Sequence, residues 1–354
     1  MLDRNELTDL YLDYKTNNPK SRIRNAADAL GVSELELLLT QVDDHVLPIA
    51  DDLETVFKGI ESLGEVMALT RNDSTVHERK GVYEKPFFSK HHILFANPDI
   101  DLRIFPGTWK YFLVVENKES DRKSIQFFNK YGEALHKVYL SNKSVIEAYE
   151  ALKQKLNFAN LDTVEVEAKP EVKPSTERSH LNDTEAQEFK TTWLNLTDTH
   201  QFFGMLKKFN LARTSALEYA PEGHAFPVDN KVVESMLNEV SATDMEIMCF
   251  VGNSGMIQIH TGKAKKIVWH GPWINVLDLA FNLHLKLEDV AQAWMVKKPT
   301  EDGAVHAIEC FNAQGEMLVQ FFGKRKPGIP ELDTWKTLCE NLAHKHALNT
   351  TVAL

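Results

Sequence analysis

The sequence repeats itself. Gly64-Glu-Val-Met-Ala-Leu69, followed by Arg71-Asn-Asp-Ser74 and Gly81, is answered by Met245-Glu-Ile-Met-Cys-Phe250, followed by Gly252-Asn-Ser-Gly255 and Gly262. The intervals Asn72 to Gly81 and Asn253 to Gly262 are equal, and Ile100-Asp-Leu-Arg103 keeps the same register with Phe281-Asn-Leu-His284. Phe128-Asn129 with Gly132-Glu133 matches Phe311-Asn312 with Gly315-Glu316, two residues out of that register. Ordered matches of this kind read as duplication of a unit of roughly 160–170 residues, within the usual size of a domain.

Between the copies lies a stretch of different composition. Thr163 to Gln187 is rich in Glu, Lys, Pro, Ser and Thr and has no aromatic residue. Such a segment buries too little apolar surface to offset its ordering entropy and reads as a linker. The expected organisation is therefore residues 1–162, a linker over 163–187, and a second copy over 188–354. Apolar spacing predicts helices over 24–41, 51–63, 198–209, 214–220 and 231–239, with closing helices at 140–156 and 333–346. Alternating β-branched and aromatic residues predict strands over 64–70, 93–96, 101–105, 111–116 and 124–140. Those of the second copy fall at 245–251, 256–260, 266–269, 292–297, 304–311 and 317–322. Short connections between strands predict an α+β fold: two tandem repeats, each an antiparallel sheet covered by helices.

Composition narrows the function. The formal net charge of -11 repels phosphate backbones, which argues against a nucleic-acid partner. No stretch approaches the ~20 apolar residues of a membrane span, and Met1-Leu2-Asp3-Arg4 does not read as a secretory signal. Cys249, Cys310 and Cys339 are odd in number and widely spaced. That spacing suits buried small apolar residues in a reducing cytoplasm better than a disulfide framework, a zinc site or an iron–sulfur site. The His91-His92 and His344/His346 pairs lack carboxylate or cysteine partners and read as incidental.

The segment Leu196-Thr-Asp-Thr-His200-Gln-Phe-Phe-Gly-Met-Leu-Lys-Lys-Phe209 carries the chemistry. Thr197 or Asp198 is a suitable N-cap, placing His200 in the first turn of a helix. Phe202, Met205, Leu206 and Phe209 form its core stripe. His200 falls on another face with Phe203, Gly204 and Lys207. Glycine is costly inside a helix unless something approaches the backbone closely, as a flat macrocycle would. The positive helix end disfavours imidazolium, and a metal ligand must be neutral. By residue physics alone, an ordinary surface histidine beside a tolerated glycine is the commoner outcome.

The chain resembles the bacterial hemin-transport or hemin-degrading factors of the HemS and ChuS type over nearly its whole length. The resemblance rests on Leu69-Thr-Arg-Asn72 leading to Val76-His-Glu78, Ile100-Asp-Leu-Arg-Ile-Phe105, His200 to Phe209 with Leu211-Ala-Arg213, and Gly252 to Gly262. It extends to Gly271-Pro-Trp-Ile-Asn-Val-Leu-Asp278 and Ala293-Trp-Met-Val-Lys-Lys-Pro-Thr-Glu-Asp-Gly303. It implies haem b in a cleft between the repeats and His200 as the proximal iron ligand. Arg103, from the opposite repeat, would be the distal residue, with Phe105 against the macrocycle. Arg213 and Lys298 match propionate-side and pocket positions. Phe250, Gln320, Phe322 and Arg325 match pocket-lining positions. The family often carries tyrosine at the position of Phe322, so a hydroxyl is missing here. His77 matches a position linked in some relatives to a second haem site. A large apolar plate with two carboxylates and one metal requires this kind of set: aromatic walls, one imidazole, and Arg or Lys at the edge.

Two activities follow from the resemblance. One is a cytoplasmic haem carrier or buffer, receiving haem from an inner-membrane importer and passing it to a downstream acceptor. The other is a haem-degrading, oxygenase-like enzyme using an external reductant, since no nicotinamide or flavin fingerprint is present, with Arg103 as the catalytic residue. A third reading, a DNA-binding regulator, rests on a helix-turn-helix-like run from Arg24 to Leu38. Glu34 and Glu36 in the would-be recognition helix oppose it.

Overall fold

A computed structural model describes residues 3–41, 45–117, 120–160, 164–169, 180–326 and 328–348. The strands, in chain order, are β1 (Val46–Ile49), β2 (Gly64–Arg71), β3 (Thr75–Gly81), β4 (Phe87–Phe88), β5 (Ile93–Ala96), β6 (Asp101–Ile104), β7 (Trp109–Asn117), β8 (Arg122–Asn129) and β9 (Ala134–Ser144). Then follow β10 (Ala225–Val228), β11 (Glu246–Gly252), β12 (Met256–Lys263), β13 (Ile267–His270), β14 (Trp273–Leu277), β15 (Phe281–Lys286), β16 (Gln292–Thr300), β17 (Gly303–Phe311) and β18 (Met317–Gly323).

These strands form two nine-stranded sheets, ordered β1-β7-β8-β9-β2-β3-β15-β14-β13 and β10-β16-β17-β18-β11-β12-β6-β5-β4. Advancing every strand number by nine, with wrap-around, turns one order into the other. The duplication read from sequence is thus a duplication of topology. Its turns repeat in atomic detail. Asn129 accepts from the backbone N–H groups of Tyr131 and Glu133 while its amide donates to the Glu133 carboxylate. Asn312 does the same with Gln314 and Glu316. Gly132 and Gly315 close these turns at φ +73° and +78°, a region that glycine enters without steric cost.

Alternation along each strand builds the layers. On β16, Ala293 and Met295 join a core with Ile247, Cys249, Ile308, Phe321 and the helices Val232–Thr243 and Asp333–His346. Trp294 and Val296, on the opposite face, pack with Phe189, Trp193, Phe202 and Phe209 from the helices Asp183–Leu194 and Gln201–Phe209. In the first copy, Val114 joins the core of Phe57, Phe127 and Val138, whereas Leu113 and Val115 pack with Leu35, Leu38 and Phe128. Helices therefore cover both faces in each copy, the expected α+β class, but the expectation of one sheet per repeat is corrected: each sheet continues six strands of one copy with three of the other (β15-β14-β13 or β6-β5-β4). All three cysteines are free and buried, as expected. Among the described residues no helix is long and apolar enough to cross a membrane.

The compact units do not follow sequence order. Unit 1 comprises Met1–Arg71, Glu78–Glu171 and Asn253–Gln258, and unit 2 comprises Asn72–His77, Val172–Gly252 and Ile259–Leu354. Each copy lends the turn of one hairpin to the other unit, and one asparagine latches each turn. Within unit 2, the Asn72 amide donates to the carbonyls of Gly252 (3.2 Å) and Leu318 (2.9 Å). Within unit 1, the Asn253 amide donates to the carbonyls of Arg71 (3.0 Å) and Leu135 (2.8 Å).

Local differences from the sequence reading have local causes. The helix expected over 24–41 is two, Ile23–Leu30 and Glu34–Leu39, broken at Gly31 with φ +69°. The strand expected over 124–140 is β8 and β9, folded back at the Asn129 turn. Residues 140–144, expected as helix, continue β9, where the Ser141 and Ser144 hydroxyls donate to the Glu65 carbonyl. The end of the expected linker is helical from Asp183, started by a capping box between Asn182 and Glu185. Val166 within it is buried with Leu35 and Leu113, while 163 and 170–179 lie outside the described residues. The helix-turn-helix-like run does form two helices, but Leu35, Leu37, Leu38 and Leu39 of the second are buried and Glu34 pairs with buried Lys137. That helix has no face to lay in a DNA groove.

Unit 1 also buries a histidine. His136 is 1% exposed, with Nδ1 2.9 Å from the Thr70 hydroxyl and Nε2 2.6 Å from the Tyr83 hydroxyl. Burial pushes its pKa down from 6.5 to about 3, against a smaller upward pull from the Leu69 backbone. The imidazole is neutral in the folded protein and takes up a proton on unfolding below about pH 6.5. Stability contributed by this group is therefore lost as pH falls from about 6.5 toward 3. Denaturant midpoints of wild type and His136→Gln between pH 7 and 4.5 test this: the variant should show the flatter pH dependence. For the latches, Asn72→Ala and Asn253→Ala each remove two hydrogen bonds to main-chain carbonyls, at an expected cost of about 1–3 kcal/mol in urea unfolding. A change within about 0.5 kcal/mol, the ordinary scatter of surface substitutions, would refute the latch.

Candidate functional site

His200 lies one residue before the helix Gln201–Phe209, at its N-cap, rather than in its first turn as expected. The reason is Asp198. Its carboxylate Oδ1 accepts from the His200 backbone N–H at 2.7 Å, closing an Asx-type turn, and lies 2.6 Å from His200 Nδ1. Asp198 itself is held below the usual carboxylate range, first by the His200 backbone N–H, with the ring and the charge of Arg325 adding to it against a smaller effect of burial. A carboxylate on Nδ1 fixes ring orientation and places the hydrogen on that nitrogen, so Nε2 carries the available lone pair. The side chain is 92% exposed, so that lone pair faces outward.

The helix face beside it is open. Phe203 is 62% exposed, with Lys207 Nζ 4.5 Å from its ring centroid. A Cβ added to Gly204 would meet nothing within 4 Å. Packing within the protein therefore does not demand glycine at 204, and the space above the helix is free for a flat ligand.

Behind this helix, unit 2 gathers most of the other expected residues. The β-ladder sets Trp294 opposite Glu309, Glu309 opposite Gln320, and Gln320 opposite Phe250, so all four share one sheet face. Phe322 lies on that face opposite Met248, and its ring meets Phe250 edge-on at 5.0 Å. Phe250, Gln320 and Phe322 are half-buried. Arg325, 19% exposed, lies 3.9 Å from Asp302.

Arg213 and Lys298 share a partner within the protein. Both bind Glu309, which sequence reasoning missed. Arg213 donates from Nε to Oε2 at 2.8 Å and from Nη2 to Oε1 at 2.7 Å, and Lys298 Nζ donates to Oε1 at 2.7 Å. Glu309 is fully buried and Lys298 is 4% exposed. Burial alone would raise the Glu309 carboxyl, but Arg213 and Lys298 overcome this and hold it well below its usual range. Burial pushes Lys298 down to about 8, with Glu309 opposing and Arg213 reinforcing. The available signal was a carboxylate on the inward parity of an apolar strand, with Ala307 and Phe311 two residues either side.

In unit 1, Arg103 projects from β6, donating to the Asp101 carboxylate and to the carbonyls of Phe95 and Leu102. Burial raises Asp101 despite the opposing charge of Arg103. The side chain is 35% exposed and its guanidinium is partnered, not buried alone. Phe105 is 41% exposed, and its backbone N–H donates to the Gly255 carbonyl at 2.8 Å. His77, matched to a second haem position, has no exposed surface. It packs edge-on to Phe281 at 5.2 Å, so iron could reach it only after that packing opened.

Comparison with known proteins identifies the family. The model of the haemin-degrading HemS/ChuX domain matches twice, over residues 31–156 and 210–342. Hemin transport protein HemS of Yersinia enterocolitica is 37% identical over 340 residues, covering 95% of this chain and 96% of its own. The structure of holo-PhuS, a heme-binding protein from Pseudomonas aeruginosa, superposes with a TM-score of 0.92 at 38% identity over 98% of this chain and all of that one. The heme degrading enzyme ChuS from Escherichia coli O157:H7 superposes with a TM-score of 0.87 at 30% identity over 96% and 99% of the two chains. The chain belongs to the HemS/ChuX family of haemin-degrading domains, and it carries that domain in two copies.

Proposed function

We propose that this chain binds haem b, with His200 Nε2 as the iron ligand, in the cytoplasmic handling of haem iron. The observation that carries the reading is the Asp198–His200 pair: an imidazole oriented by a carboxylate on one nitrogen and open to solvent on the other. The open space over Gly204 and the exposed ring of Phe203 suit a flat apolar plate beside that nitrogen. Relatives named for heme binding and hemin transport support the same ligand. Haem supplies a redox-active iron in a planar dicarboxylate macrocycle. The protein's part is to orient the imidazole through Asp198, to offer Phe203, Phe250 and Phe322 as apolar surface, and to set Lys207 and Arg325 as cations on the His200 side.

Carrier and enzyme share this geometry. As a carrier, the chain would take haem from an inner-membrane importer and release it to a downstream acceptor. As an enzyme, it would open the macrocycle with electrons from an external reductant, and Arg103 would stabilise charge on the distal side, a role resting on the resemblance alone. The relatives fall on both sides of this division, one named for transport and another as a heme degrading enzyme. A second haem at His77 would require its packing on Phe281 to open.

Absorption titration with hemin tests the ligand. His200→Ala should lose or markedly shift the Soret maximum, whereas Asp198→Ala should keep a histidine-type spectrum with affinity reduced about 10-fold, as for other partners of metal-bound histidine. An unchanged spectrum and affinity in His200→Ala would refute the assignment. Turnover separates the two activities: hemin-loaded protein is given a reductant in the presence of catalase. A bilin-like product with released iron, lost in Arg103→Ala, marks an enzyme, and macrocycle loss that catalase abolishes marks a carrier.

A further inference from the structure

We infer that Glu309 is a positioning residue for the iron-ligand helix, acting through Arg213, Lys298 and Phe202; this rests on the haem reading above. Glu309 lies on β17, fully buried, and binds Arg213 at the start of the helix Arg213–Glu218 and Lys298 on β16. Both cations face the ring of Phe202, with the Arg213 guanidinium carbon 5.1 Å and Lys298 Nζ 4.5 Å from its centroid. The same ring meets Trp193 edge-on at 4.9 Å. Phe202 is 2% exposed and lies two residues after His200.

The helix Gln201–Phe209 buries Phe202, Met205, Leu206 and Phe209, and of these only Phe202 belongs to its first turn. Phe203 is exposed and Gly204 has no side chain, and the Gln201 side chain bonds the exposed Thr197 just before the helix, at 3.0 and 2.9 Å. Phe202 is therefore the side chain of that turn that ties the helix start, and with it the imidazole at the N-cap, into the core of unit 2. The Phe202 ring is supported by two cations held by one carboxylate, leaving one net positive charge beneath it. Cations attract the π-face, and a ring desolvated between them and Trp193 has little freedom to slide. Without the Glu309 charge, buried Lys298 and part-exposed Arg213 would both lose their shared counter-charge. Lysine can shed its proton or leave, but arginine stays charged and must move toward water. Either response withdraws support from Phe202, and the helix start shifts.

The test is a double-mutant cycle on the full chain with hemin. Glu309→Gln should raise the hemin Kd about 10-fold and shift or broaden the Soret band, the size expected when a partner that orients a metal-bound histidine is lost. In a His200→Ala background the same substitution should produce no further spectral change, because Glu309 acts through that imidazole. Glu309→Gln with Lys298→Met restores the net charge of the cluster but leaves Phe202 only the Arg213 cation, so it should recover part of the loss and no more. Far-ultraviolet circular dichroism of the apo proteins reports folding. Should Glu309→Gln fail to fold, Glu309→Asp keeps the charge on a shorter arm, and an intermediate Kd with the wild-type band position is expected. A folded Glu309→Gln with wild-type spectrum and Kd would overturn the inference, as would equal spectral effects with and without His200. Those outcomes leave the haem reading intact. An unchanged hemin spectrum in His200→Ala would remove that reading, and the inference with it.

Discussion

Two asparagine side chains hold the exchange on which the rest of the molecule is built. Asn72 and Asn253 each present an amide to two main-chain carbonyls that other parts of the chain leave at the end of a ladder. A carbonyl in that position, part-buried and without a donor, is expensive, so the turn carrying the asparagine is drawn in. Once each turn is seated, β3 and β12 run from one compact unit into the other along their own length.

The duplication was legible because it is written in turns. Asparagine and glycine at fixed spacing recur where backbone geometry demands them, and the structure shows the same hydrogen bonds at Asn129 and Asn312. Long regular elements were legible for the same reason: the closing helix Asp333–His346 carries an uninterrupted apolar period. Of the strands that escaped, β1 and β10 lack alternation and are defined by pairing with β7 and β16 rather than by local preference, whereas β3, β14 and β15 went unread even though Phe281, Leu283 and Leu285 alternate along β15. The exchange of the two turns also escaped. A single sequence shows that two asparagines match but not which carbonyls they reach.

The candidate site divides in the same way. His200 could be singled out from an interrupted helix face, and the resemblance gave it a role. Its carboxylate partner was placed at the N-cap by propensity, whereas the fold puts the histidine there and uses the aspartate to fix the ring. Arg213 and Lys298 could be named as cations near a pocket. That both are bound to Glu309 could not be foreseen, because the ion cluster joins residues that are distant in sequence and hides its carboxylate inside a strand rich in apolar residues.

The exchanged turns also bear on how such a protein can be divided. A polypeptide ending in the segment between the copies would contain Asn72–His77 but lack Asn253–Gln258, and its complement would have the reverse deficiency. Neither fragment holds a whole folding unit, so the halves are no longer independent modules despite their common ancestry. Recombination that shuffles one copy into another context would carry away a piece its former neighbour needs. The duplication, once latched, behaves as a commitment: each half completes a compact unit only with a segment of the other.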